Sequence, residues 1–320
     1  MTNFEMRNDS ALQNKTSNFE FFSSSVCIAL LTALGIEAVA IVTLNGLAII
    51  VFLKERRLRK RSMYLTISLA VADMFNSCSL ILWIFSLGNE DHCNIWTINF
   101  VSDPIQITGA LLFYFPVVSI TNLTAISLER MHATFRPFKH RLVKKKMFGA
   151  AVAAVWFTAG MFIVIYVLRI QFNAILYNAA PEAGAYYLLT LCCVFIIVIS
   201  YTSIPLKFSC GTHPQYHGAV NRERKLTKTL FIVTVVSLIL LLPSTIVYLL
   251  FYFSLLEIEI TFHPPRILYQ YSLIFLFFAN SFINPVLYAF NIREFKKALL
   301  LLLRCRLRSE PVQGFPLNDM

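Results

Sequence analysis

Charge is what this 320-residue chain has least of: 14% of its residues are Asp, Glu, Lys or Arg, against 57% hydrophobic. That balance excludes an ordinary water-soluble domain, whose surface needs more charge than this, and places the chain in a bilayer. Internal repeats and paired broken helices are also missing, which speaks against a secondary transporter. The six His residues are scattered, and His213 and His217 sit in a Gly/Pro-containing segment, so no clustered ligand set suggests a metalloenzyme. The first 25 residues lack a basic n-region and an A-x-A-like cleavage site; they read as a polar extracellular tail ahead of an uncleaved anchor.

What is present is a series of seven apolar stretches long enough to span as helices, at 27–53, 62–87, 104–131, 147–168, 186–208, 228–253 and 265–290. An eighth segment differs. From Arg293 to Arg308 basic residues alternate with Phe295, Ala298 and a Leu run, as in an amphipathic helix lying on the membrane surface. The expected organisation is a tail over 1–25, a seven-helix body over 26–290, a surface helix over 291–308 and a cytoplasmic tail over 309–320. The fold class is therefore an all-α membrane protein, a seven-transmembrane helix bundle with a short amphipathic eighth helix.

Orientation follows from the cations. The link 54–61 carries six Lys/Arg, 130–146 seven, 207–228 five and 293–308 six, so 24 of 28 lie on one side. Arg7, Lys15, Arg169 and Arg266 fall on the other, and the positive-inside rule puts the N-terminus outside. The net charge of +11 is thus a topological asymmetry that faces anionic lipid, and is weak ground for nucleic-acid binding. Asn8-Asp9-Ser10 and Asn14-Lys15-Thr16 are N-glycosylation sequons on the outer tail, whereas Asn122-Leu123-Thr124 lies inside a span and cannot be reached.

Two motifs carry more specific information. Asn280-Ser281-Phe282-Ile283-Asn284-Pro285-Val286-Leu287-Tyr288 closes the seventh span, and Pro285 there removes a backbone hydrogen bond and bends a helix that must otherwise satisfy itself. At the inner end of the third span, Glu129-Arg130-Met131-His132 is followed by Pro137-Phe138 and a basic cluster. Together these resemble the NPxxY and D/E-R-Y motifs of the rhodopsin-like (class A) G-protein-coupled receptors, and Asn45, Trp156, Tyr201 and Pro243 fit the same frame over roughly 30–306. The resemblance implies that Arg130 rests against Glu129 and against Glu223, twenty residues before Pro243, and is freed to engage a heterotrimeric G-protein. It implies too that Tyr201 meets Tyr288 in the active form, and that the protein performs no covalent chemistry, so it is not an enzyme.

Asp73 is a carboxylate near mid-membrane, which by itself marks a functional candidate because leaving it unpaired is costly. The resemblance supplies Asn45, Ser119, Asn280, Ser281 and Asn284 as its partners, and sodium as the cation such a set holds in the inactive state; a hydrogen-bond network without an ion is the alternative. No other cofactor is expected.

Departures from the family are equally informative. Leu240-Leu241-Leu242-Pro243 replaces the toggle Trp motif, Ser237 replaces an aromatic one turn below, Cys193 stands where the fifth helix has Pro, and Met131 replaces Tyr. Ile105 holds the place of the outer disulfide Cys of the third helix, and 171–185 contains no Cys, so that staple is missing. Cys93 is then free or bridged to Cys27, while Cys305, beside the surface helix, is a palmitoylation candidate.

For the ligand, Leu112 stands where amine receptors carry Asp, and Phe278 where opsins carry the retinal Lys, which argues against a typical protonated amine and against covalent retinal. The remaining outer-half candidates are Trp83, Gln106, Phe113, Tyr186, Ser244, Thr245, Tyr248 and Gln270, an aromatic wall with a few neutral polar groups. Glu37 has no role in this frame. The expectation is a plasma-membrane receptor for an extracellular ligand that signals through a G-protein. A constitutively active or ligandless dimer partner, or a transporter or channel, is the alternative.

Overall fold

The computed structural model describes residues 24–55, 63–88, 95, 103–171, 181–209, 217–252 and 264–308. Those residues form α1 (Ser24–Lys54), α2 (Met63–Leu87), α3 (Asp103–Phe135), α4 (Pro137–Leu142), α5 (Lys145–Gln171), α6 (Pro181–Ser209), α7 (His217–Tyr252), α8 (Pro264–Asn291) and α9 (Arg293–Arg308), with no strand among them. Each of the seven apolar stretches becomes one long helix, because a chain in hydrocarbon must satisfy its backbone N–H and C=O groups within the segment. Five helices are long and apolar enough to cross a membrane by the described residues alone, and α7 adds the apolar piece Phe231–Val247.

The helices close into a ring in which α1 packs on α2 and α8, and α3 runs through the middle against α2, α5, α6 and α7. Their outward faces are greasy: Ile36, Val39, Phe157, Leu188, Phe195 and Ile239 are all exposed, as lipid contact requires. Polar side chains point inward instead, and Asn45, Asp73, Asn76, Ser119, Asn122, Ser237, Asn280 and Asn284 are buried. Threonines on the apolar helices silence their hydroxyls by donating to the carbonyl four residues back, as Thr32 does to Ile28 at 2.6 Å and Thr43 to Val39 at 2.8 Å.

One element departs from the sequence reading. The segment after Arg130 reads as a basic loop, yet Pro137–Leu142 is a short helix, with Pro137 in the first turn where its missing N–H costs nothing. The turn into it is tied by Arg136 N–H donating to His132 O and His140 N–H donating to Arg136 O, both at 2.9 Å. At the far end, α9 leaves α8 at Ile292 and drops Phe295 into the bundle, where it meets Phe52 at 5.2 Å and Tyr288 at 6.2 Å between ring centroids. That contact fixes the amphipathic helix against the foot of α1 and α8.

Candidate functional site

Three groups of candidate residues lie at successive levels along the bundle, named outer at the end where α1 and α3 begin and inner at the end where α3 closes. The outer one is a cavity of about 270 Å³ lined by Trp83, Leu112, Tyr186, Tyr187, Ser244, Thr245, Leu273, Ile274, Phe277 and Phe278. Trp83, Tyr186, Ser244 and Thr245 were expected there. Leu112 and Phe278 both face the cavity, so the two positions that argue against an amine and against retinal are true lining positions. The hydroxyls of Ser244 and Thr245 donate to the Leu241 carbonyl at 3.0 and 2.9 Å, which leaves their oxygens as acceptors. The side chains of Gln106, Phe113, Tyr248 and Gln270 lie outside the described residues. Tyr187, Leu273, Ile274 and Phe277 were missed because apolar and aromatic residues in a span look alike whether they face a cavity, a neighbour or lipid.

The middle site is built around Asp73, fully buried in α2. Ser119 of α3 and Ser281 of α8 each donate to Asp73 Oδ1 at 2.9 Å, and Asn284 donates to Oδ2 at 2.9 Å. Three of the five expected partners are therefore in direct contact. The other two are placed differently: Asn45 donates to the backbone carbonyls of Ser281 and Ile41 at 2.9 and 3.1 Å, and Asn280 is not hydrogen-bonded to Asp73. Asn45 braces α8 at the residue that feeds Asp73, which is an indirect role. The Oδ1 atoms of Asn280 and Asn284 have no hydrogen-bond partner among the described residues. One carboxylate with neutral oxygens around it is a donor set for a hard cation. Beside it a cavity of about 10 Å³, bordered by Asn76, Pro116, Ser119, Leu241 and Asn280, has room for about one water. Leu241 stands there in place of the expected indole.

At the inner end, the side chains of Arg130 and Glu129 are 3% and 8% exposed and form an ion pair, Arg130 Nε lying 2.6 Å from Glu129 Oε2. Tyr201 is buried on α6 with its ring against Phe231, and Thr234 donates to its hydroxyl at 3.3 Å. Tyr288 packs instead on Phe52 and Phe295, with no hydrogen-bond partner for its hydroxyl among the described residues. The two tyrosines thus serve different partners. The side chain of Glu223 lies outside the described residues, as do Asn8, Asn14 and Cys93 and the side chain of Cys305.

Four further features complete the description. His140, on the unexpected α4, brings Nε2 to 3.1 Å from Glu129 Oε1. Cys27 is disulfide-bonded, which agrees with the bridged alternative left open for it; its partner lies outside the described residues. Trp156 donates its indole N–H to Ser68 at 3.0 Å, tying α5 to α2. Glu37 is buried in α1, and neither carboxylate oxygen has a hydrogen-bond partner among the described residues.

Comparison with known proteins agrees with this layout. The Substance-K receptor of Canis lupus familiaris is 25% identical over 92% of this chain and 81% of its own length. Relaxin receptor 1 of Homo sapiens is 25% identical over 73% of this chain, which spans about a third (33%) of that receptor. Trace amine-associated receptor 5 of Rattus norvegicus is 38% identical, over 30% of this chain and 26% of its own. In three dimensions the bundle matches the crystal structure of squid rhodopsin with a TM-score of 0.70 at 18% identity, covering 90% of this chain and 88% of that one, which speaks for the fold. The family model described as 7 transmembrane receptor (rhodopsin family) matches residues 44–288, from the residue before Asn45 to Tyr288 itself. With both ends of that match falling on the motifs that frame the bundle, the chain belongs to the rhodopsin family of seven-transmembrane receptors.

Proposed function

We propose that this receptor sits in the plasma membrane with its N-terminus outside and carries binding of an extracellular ligand in the outer cavity to a heterotrimeric G-protein at Arg130. The observation that carries the reading is the buried Glu129–Arg130 pair at the inner end of α3, the same helix that lines the outer cavity through Leu112. A cation held by its own neighbour is a bistable element that a distant ligand can bias. Between the two ends, Asp73 ties α2, α3 and α8, and a sodium ion beside Asp73, Asn280 and Asn284 stabilises the resting arrangement. In intact cells expressing the receptor without added ligand, sensors of heterotrimer dissociation for each Gα class are expected to respond in at least one class. Silence in every class, with the receptor at the surface, would contradict the coupling role.

The cavity also narrows the ligand. Relatives with names such as Trace amine-associated receptor 5 and Substance-K receptor point to different ligand classes, so the lining must decide. Its described residues carry no charge, and a buried unpaired ammonium or carboxylate costs several kcal/mol, by the general magnitude of about 3–5 kcal/mol for a broken buried pair. Ser244 and Thr245 present oxygens whose protons are already committed, which suits a neutral ligand with one hydrogen-bond donor. At about 270 Å³ the space is at the lower end of ligand pockets. Alcohol, ammonium and carboxylate versions of one small aromatic scaffold, tested on purified receptor, are expected to raise the melting temperature by a few degrees for the alcohol alone. A larger shift with the ammonium compound would assign the cavity to amines.

A further inference from the structure

The Glu129–Arg130 pair is met on its other side by His140, which a second histidine backs. α4 turns back so that His140 Nε2 lies 3.1 Å from Glu129 Oε1, while Arg130 holds Oε2. Neither contact is aligned as a hydrogen bond, so a neutral His140 contributes little and a charged one forms an ion pair. The second histidine, His132, places Nδ1 3.4 Å from His140 Nδ1. Two nitrogens so close need one proton between them. With His140 neutral and its Nε2–H toward Glu129, its bare Nδ1 accepts from His132 Nδ1–H. When His140 is protonated it donates from Nδ1 and His132 accepts as the other tautomer. Both charge states fit with no heavy atom displaced.

We propose that His140 positions Glu129 and, by taking a proton from the cytoplasm, makes the release of Arg130 easier, so that the latch opens more readily as cytoplasmic pH falls. The inference rests on Arg130 being the coupling residue. In the resting bundle a protonated His140 and Arg130 share one carboxylate and repel each other. Once Arg130 has left, the repulsion ends and Glu129, itself buried, has His140 as its counter-charge. A proton on His140 is then held more tightly in the released state than in the resting one. By linkage, acid favours release and alkali favours rest. Imidazole is the side chain that changes charge within the cytoplasmic range.

The other charged groups around the ring do not reverse this sign. Arg136 and Lys139 on its own loop and helix and Lys144, Lys145 and Lys146 leading into α5 are cations that stay charged across that range. Phe148 of α5 covers the ring edge-on at 6.2 Å, and Tyr201 approaches the pair from α6. Arg141, Glu223 and the basic neighbours of Glu223 have side chains outside the described residues.

The test is nucleotide exchange by the responding heterotrimer on receptor in nanodiscs, at pH 6.5 and 7.5, with each rate referred to that of His140→Gln at the same pH so that the G-protein's own response cancels. Wild type is expected to rise by roughly two- to fourfold on acidification relative to that variant. His140→Lys, with a fixed charge, is expected to be raised at both pH values and to show no such rise, and it serves if His140→Gln does not fold. An acid response in His140→Gln equal to wild type overturns the proposal and puts the proton on Glu129 or on the heterotrimer. A flat wild type beside an inactive Arg130→Ala rejects the pH device alone, whereas exchange that survives Arg130→Ala rejects the coupling role on which it rests.

Discussion

Arg130→Ala is expected to reduce G-protein activation to the level of cells without receptor, a loss of tenfold or more, while surface abundance stays within about twofold. The guanidinium is buried at the end of α3 and is held by Glu129 at 2.6 Å, so its removal deletes the group that the G-protein would engage. Deleting one partner of a buried pair normally costs about 3–5 kcal/mol, because the other charge is stranded. Here Glu129 keeps His140 at 3.1 Å, which limits that cost and is the reason the variant is expected to reach the surface. Glu129→Gln should act in the opposite direction, freeing Arg130 and raising ligand-independent signalling. Surface biotinylation beside the dissociation sensors separates lost coupling from lost protein. Full signalling by Arg130→Ala would remove the latch from the account.

Asp73→Asn is expected to abolish the sodium dependence of basal nucleotide exchange. A cation bound only by the resting bundle lowers the active fraction as 1 + [Na⁺]/Kd, which is about twofold when the concentration equals Kd and about fivefold at four times Kd. Asparagine keeps the shape and an oxygen for Ser119 and Ser281, but lacks the charge, and its amide nitrogen would face the Asn284 amide that now donates to Oδ2. Sodium should be exchanged for an organic cation at constant ionic strength. A response that persists undiminished in Asp73→Asn would place the ion elsewhere. Leu241→Trp, which fills the space beside Asn76 and Asn280, is expected to strengthen the wild-type response by enclosing the ion.

How much of this was legible in the sequence depended on the kind of information each feature needs. The spans and the bundle follow from segment length and apolarity, which are local quantities. Ser119, Ser281 and Asn284 were legible as partners of Asp73 because the family frame fixes which turn of α3 and α8 faces α2. Asn280 sits one turn from Asn284, but it borders the small cavity beside Leu241 and does not bond Asp73. Asn45 bonds a main-chain carbonyl on α8, a contact that no side-chain pattern announces. α4 was hidden because six residues with three basic side chains show no periodicity; its start is fixed by Pro137 and its position by the turn at Arg136. His140 was missed with it, since its approach to Glu129 exists only once α4 has folded back. Cys27 could not be settled by counting cysteines, because pairing depends on where the outer end of α1 lies in space.

The most direct measurement is the rate of GDP release from a purified heterotrimer mixed with the purified receptor in lipid nanodiscs, with no other cell component present. The account predicts that the receptor accelerates release over empty nanodiscs for at least one Gα class, that Arg130→Ala does not, and that sodium slows the wild-type rate. Equal rates with receptor, with Arg130→Ala and with empty nanodiscs, for every Gα class, would contradict it.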